Sequence, residues 1–171
     1  MMQRILILAM HGTPPRDFPP AEMAEFMRLH AQAEHAPLDL SITDRYADLE
    51  RRLRSWPRTP ENDPFHAASH ELGNALGDAA GAPVLVAFNE FCDPTVEAAL
   101  ARAAEGSPEE VIVVTPMLTP GGEHAAHDIP SAIERARRAH PGVRFLYAWP
   151  IPLEATAAFL AAHIHASFPE A

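Results

Sequence analysis

The sequence predicts an α/β fold built on a doubly wound parallel sheet of about four strands. Three observations carry that expectation. Four short aliphatic runs, at residues 4–10, 84–88, 111–117 and 143–149, are continuous rather than alternating in polarity, as strands buried on both faces are. Helix-like stretches separate and follow them, at 21–35, 65–80, 94–105, 130–140 and 153–168. The length of 171 residues suits one domain with its own core and is short for two, so residues 1–171 are expected to form a single domain.

Taken in order, the first strand runs into His11-Gly12 and is followed by the helix at 21–35. The stretch from Pro37 to Pro64 then breaks the β-α-β rhythm and reads as a helical insertion. Within it Tyr46, Leu49, Leu53 and Trp56 recur at helical spacing, ringed by Arg45, Arg51, Arg52, Arg54 and Arg58. Those arginines read either as a solvated face balanced by Asp44, Asp48 and Glu50 or as a patch facing an anion. The apolar stripe packs on its own domain, or meets a second copy or a ligand. Asp63-Pro64 and Asp93-Pro94 each place a capping side chain before a proline suited to a first turn, while Gly106 and Gly142 follow helix ends. The last strand and helix are expected to finish the domain.

Composition narrows the chemistry. All 13 basic residues are arginine, which removes Schiff-base lysines, a pyridoxal phosphate anchor and a phosphate-loop lysine. A formal charge of −10 argues against binding nucleic acid by phosphate neutralisation. The longest early apolar run, residues 5–10, is too short for a membrane span, and the N-terminus lacks the pattern of a signal peptide. A cytoplasmic protein without membrane contact is expected. Cys92, the single cysteine, can neither close an intrachain disulfide nor build a thiolate metal site alone. Ten histidines remain as the supply of metal ligands and proton carriers.

In doubly wound sheets ligands gather beyond the carboxyl ends of the strands. His11 follows the first strand, Glu90 the second, and His124 stands after the third in Gly121-Gly122-Glu123-His124. Each alone reads equally as a turn or surface residue. Together, two imidazoles and a carboxylate at one sheet edge suit metal binding with proton transfer.

The segment Gly122-Glu123-His124-Ala125-Ala126-His127-Asp128-Ile129-Pro130 resembles the Gly-x-His-x-x-x-Asp-Ile-Pro motif of the sirohydrochlorin and cobalt chelatases, the small class II tetrapyrrole chelatases. Residues 6–12, with their terminal His-Gly, and 86–100, containing Phe88-Asn89-Glu90, resemble the family's first and second strands. The resemblance implies a chelatase-like domain in which His11 and His124 hold an incoming divalent metal and Glu90 assists removal of pyrrole protons. The metal is then a substrate, Co²⁺ or Fe²⁺, with Ni²⁺ or Zn²⁺ admissible, and no nucleotide is required. Two neutral imidazoles hold such an ion without the closure of a four-ligand structural site. This chain continues after His-Gly with Thr13-Pro14-Pro15-Arg16-Asp17, and its insertion has no counterpart in compact members. Arg16 or the insertion arginines would meet the carboxylates of a tetrapyrrole partner.

Other residues keep two readings. Asp128 caps the following helix or serves the motif; His127 is a third ligand, a ligand's neighbour or an exposed residue. His66 and His70, four apart, share a helical face and can chelate, whereas His163 and His165 do not share one. Insertion of metal into a sirohydrochlorin-type tetrapyrrole is the expected function. A noncatalytic metal or tetrapyrrole carrier is the alternative, ahead of a metal-dependent hydrolase. Larger chelatases resemble two fused modules, and this chain carries a single copy of each motif, so a homodimer is expected.

Overall fold

The structure is a computed structural model and describes residues 3–35 and 39–168. Pro37, where the expected insertion begins, lies outside the described residues. The elements run β1 (Arg4–Met10), α1 (Pro20–His35), α2 (Leu40–Arg54), α3 (Pro64–Ala80), β2 (Val84–Phe88), α4 (Val96–Glu105), β3 (Glu110–Val114), a π-helical turn (His124–Asp128), α5 (Ile129–Ala139), β4 (Arg144–Tyr147) and α6 (Leu153–Ser167). The four strands are all parallel, in the order β2-β1-β3-β4.

This order dictates which face each helix covers. Right-handed crossovers place the helix on one face when the chain steps from β1 to β2, and on the other when it returns across β1 to β3 and on to β4. Ile7, Ala9, Val111, Val113 and Phe145 accordingly pack under α4 and α5, around Leu100, Ile129 and Ile133. Leu8, Met10, Val86 and Phe88 face the α3 side, against Phe65 and Leu76. Gly73 lets α3 approach closely, since a Cβ there would lie 2.6 Å from the Val86 side chain.

Register is set at the amino ends. Arg4, Glu110 and Arg144 are neighbours across β1, β3 and β4. Glu110, only 2% exposed, accepts from Arg4 Nε at 2.9 Å and also pairs with the Arg144 guanidinium. A slip of one residue would turn every side chain of β3 to the wrong face and bury this carboxylate unpaired.

Element ends differ from expectation where proline or polar chemistry intervenes. β3 stops at Val114, two residues before Pro116, and begins one residue early because Glu110 finds cations. β4 likewise ends before Trp149-Pro150. Asp63 caps α3 as expected, accepting from the His66 amide at 2.9 Å. Asp93 does not cap α4: Thr95 Oγ1 accepts from the Ala98 amide at 3.1 Å, and the helix begins at Val96. No residue of α6 is buried, so the last helix does not finish the core; Leu153, Phe159, Leu160 and Ile164 stand exposed along it. No described helix is long and apolar enough to cross a membrane.

The expected amphipathic helix exists as α2 and packs on its own domain. Leu49 and Leu53 join Phe18, Phe26 and Leu29 in a separate apolar cluster flanked by Tyr46 and Trp56. Arg45 pairs with Glu25 at 2.6 Å and Arg52 with Glu22 at 2.5 Å, so these two hold α2 to α1. Arg58 fits neither the solvated nor the anion-facing reading because it turns inward to backbone carbonyls, and Arg54, though paired with Glu50 at 3.1 Å, turns its other nitrogens to carbonyls as well. Arg54 donates to the carbonyls of Asn89 at 3.2 Å and Cys92 at 3.1 Å. Arg58 is 6% exposed beside an Asp63 that is 1% exposed. Its Nη1 donates to Asp63 and the Thr13 carbonyl, and its Nη2 to the carbonyls of Leu53 and Phe91. Asp63 in turn accepts from Thr13 Oγ1 at 2.8 Å.

Two substitutions test this frame. Arg58→Ala leaves Asp63 buried without its cation and should cost about 3–5 kcal/mol in a urea unfolding curve. Gly12 sits at φ +104°, and a Cβ there would lie 1.9 Å from the Glu90 carbonyl oxygen. Gly12→Ala should therefore lower stability by at least about 2 kcal/mol, read from the thermal midpoint, as strain and steric clash combine.

Candidate metal centre

The loops that leave β1, β2 and β3 converge. Past the ends of β1 and β2 the backbone ladder continues, with the Asn89 amide donating to the Met10 carbonyl and the Glu90 amide to the His11 carbonyl, each at 2.9 Å. Asn89 adds its side-chain amide to the Met10 carbonyl at 2.8 Å. These bonds hold His11 and Glu90 side by side. The chain then turns within three residues: the Cys92 amide donates to the Glu90 carbonyl at 2.7 Å, with Phe91 at φ 60°. That backbone is unusual for an aromatic residue. The guanidiniums of Arg54 and Arg58, on the carbonyls of residues 89, 91 and 92, hold it in place.

His124 opens the π-helical turn, a geometry uncommon in proteins and concentrated at functional sites. Tyr147 at the end of β4 donates to the Ala125 carbonyl at 2.9 Å, and Trp149 Nε1 to the Met117 carbonyl at 2.9 Å. Burial pushes the Tyr147 hydroxyl up to about 12, so it stays a donor throughout the physiological range. The loop bearing His124 is thereby clamped at both ends to the strand beside it.

Among the described residues, His11, Glu90 and His124 form the one group of three or more such side chains able to share an ion, with their ligand atoms within 4.8 Å of one another. Glu90 lies 3.9 Å from His11 Nε2 and 3.6 Å from His124 Nε2. The imidazoles meet edge to face with centroids 4.8 Å apart. His11 is half exposed and His124 mostly covered, so the site opens on the His11 side.

The partners of the other ring nitrogens decide what these imidazoles can do. His11 Nδ1 lies 2.9 Å from the Gly12 carbonyl oxygen and His124 Nδ1 lies 2.6 Å from Asp128 Oδ2. Both partners are acceptors, so each neutral ring carries its proton on Nδ1 and presents a bare Nε2 toward Glu90. This is the tautomer a metal ligand needs. Asp128 thus makes no side-chain cap on α5 and instead orients His124. The four-residue spacing of His124 and Asp128 carried that signal.

The remaining candidates fall elsewhere. His127 is exposed and outside the cluster, as are His163 and His165 on α6. Arg16 is exposed. Burial, and next the neighbouring His70, hold the His66 imidazole below its ordinary range. Burial pushes the Cys92 thiol up, which keeps it protonated and structural. Beside the cluster a cavity of about 370 Å³ is lined by Asn89, Glu97, Asp128, Ser131 and two guanidiniums, Arg54 and Arg135, the latter paired with Glu97. Arg54 and Arg58, which the site depends on, gave no distinctive sequence signal, since an inward and an outward arginine read alike.

No curated protein matches the chain in sequence. Among solved structures, a CbiX protein of cobalamin (vitamin B12) biosynthesis from Marinobacter aquaeolei VT8 is 20% identical, with 98% of each chain covered and a TM-score of 0.46. The sirohydrochlorin chelatase SirB from Bacillus subtilis subspecies spizizenii, in complex with cobalt, is 17% identical with a TM-score of 0.48. The match covers 97% of this chain and 51% of that one. SirB from Bacillus subtilis with Fe³⁺ is 18% identical, with 95% and 46% covered and a TM-score of 0.47, so this chain spans about half the length of either SirB. The CbiX family model matches residues 61–163, more than half of the sequence and including Glu90 and His124, and the chain belongs to the CbiX family.

Proposed function

We propose that this protein inserts a divalent metal ion, cobalt or iron, into a sirohydrochlorin-type tetrapyrrole. The observation that carries the reading is the pair of Nε2 atoms facing one carboxylate, with the Nδ1 of each ring held by an acceptor. Membership of the CbiX family supports it.

Insertion requires the macrocycle to lose two pyrrole protons while the ion exchanges its ligands. His11 and His124 hold the ion as two neutral nitrogen donors, enough to orient it and few enough to release it. Glu90, within 4 Å of both, accepts the two pyrrole protons in turn and passes each to solvent on the open side before taking the next. Asp128 keeps His124 in the ligating tautomer as the ion arrives and leaves. Arg135, paired with Glu97 at the adjoining cavity, offers cationic chemistry to a polycarboxylate macrocycle. A second copy of the chain completes the cleft in this reading. The exposed apolar residues of α6 and the half-covered Ile112 and Leu146, on β3 and β4 at the α3 face of the sheet, are the surfaces it would cover.

Anaerobic incubation with sirohydrochlorin and Co²⁺ or Fe²⁺, followed by absorption, should show insertion faster than the spontaneous rate; no acceleration would overturn the assignment. His11→Ala and His124→Ala should each weaken cobalt binding about tenfold or more by calorimetry. Glu90→Gln should slow turnover by about 10²–10⁴ while leaving metal affinity nearly intact. An undiminished rate in Glu90→Gln would instead favour the carrier. Light scattering at micromolar concentration should give a dimer, and a strictly monomeric mass with or without tetrapyrrole would remove that part of the proposal.

A further inference from the structure

Away from the candidate centre a second pair of imidazoles converges. His66 and His70 stand four residues apart on α3 and bring their Nε2 atoms to 3.3 Å. Both rings rest on Phe88: His66 is stacked at 5.2 Å and 18°, and His70 is tilted at 6.1 Å and 60°. Phe88 is fully buried and cannot yield, and the Asp63 cap holds the backbone at His66. The pair is therefore a positioned one, unlike two mobile surface side chains.

The spacing is that of a chelate. Two nitrogens 3.3 Å apart, each at a metal–nitrogen length of about 2.05 Å, subtend about 107° at a shared ion, close to the tetrahedral angle. The same separation serves a hydrogen bond between the two rings, so an ion can replace the shared proton without backbone movement. We propose that His66 and His70 form a second metal site, a bidentate station for a divalent transition ion such as cobalt, nickel, copper or zinc, with water in the remaining positions. Two nitrogen donors without a carboxylate in the group disfavour magnesium and calcium. His70 is exposed, so the ion enters from solvent. Along the chain Asn89 alone separates Phe88 from Glu90, so one sheet edge carries both metal stations.

Calorimetric titration of the full chain with Co²⁺ tests this. The parent should bind about two equivalents, while His11→Ala/His124→Ala and His70→Ala should each retain about one. His70→Gln, which keeps helix and bulk, should behave as His70→Ala does. In His11→Ala/His124→Ala, paramagnetic Co²⁺ should broaden the Phe88 ring resonances, and Mg²⁺ should not compete. Unchanged cobalt stoichiometry and affinity in both His70 variants, or no broadening at Phe88, would overturn the proposal. Failure of the insertion reading shows separately, as absent turnover with His70-dependent binding intact.

Discussion

The buried Arg58–Asp63 pair is the constraint on which the site end of the molecule depends. Neither charge can be hydrated, and four of the five guanidinium N–H groups are spent on Asp63 and on carbonyls from three different segments, while Nε alone finds no partner. Those segments are the loop after β1, the end of α2 and the loop after β2. Arg58 thus acts as a junction where backbone that would otherwise be poorly satisfied is gathered around one cation. Asp63 closes the arrangement by capping α3 and receiving Thr13. A neutral or shorter residue at either position removes several attachments at once, and the loops carrying His11 and Glu90 lose their common anchor.

The chemistry proposed above needs no unusual residue, only ordinary ones with their second nitrogens committed. Topology brings His11 and His124 together, because β1 and β3 are adjacent and diverge in connection at the point where strand order reverses. The Gly12 carbonyl and the Asp128 carboxylate then choose the tautomer. One acceptor is backbone and invariant to substitution; the other is a side chain on an exposed turn. The two imidazoles are thus oriented by means of different robustness, and His124 is the one that a single nearby replacement can detune.

Much of this was legible in the sequence, and the reasons are physical. β1 and β2 matched their expected bounds because a continuous apolar run has few alternatives in a parallel sheet. The placement of His11, Glu90 and His124 followed from the rule that strand ends share an edge, and the three side chains do lie together. The inward turn of Arg54 and Arg58 was not legible, because an arginine's direction is set by carbonyls contributed from distant loops, and Asp128 kept two readings because its signal competed with helix capping. The start of β3 was missed for a similar reason: Glu110 looks like a loop residue until Arg4 and Arg144 flank it. The independence of α6 from the core was invisible as well, since its apolar content reads the same whether it is packed at home or left bare.

The outer edge of β2 carries one further consequence. There the chain folds back so that the Phe88 amide donates to the Pro94 carbonyl at 2.9 Å, with Thr95 bridged alongside. A strand edge left open is a template for pairing with other chains, and here the five residues beyond β2 fold back to cover its last residue from within. Those residues include Glu90. Guarding the end of this edge and holding the carboxylate proposed to take up pyrrole protons are therefore one mechanical task for this loop, and a change that loosens it would compromise colloidal behaviour and the proposed chemistry together.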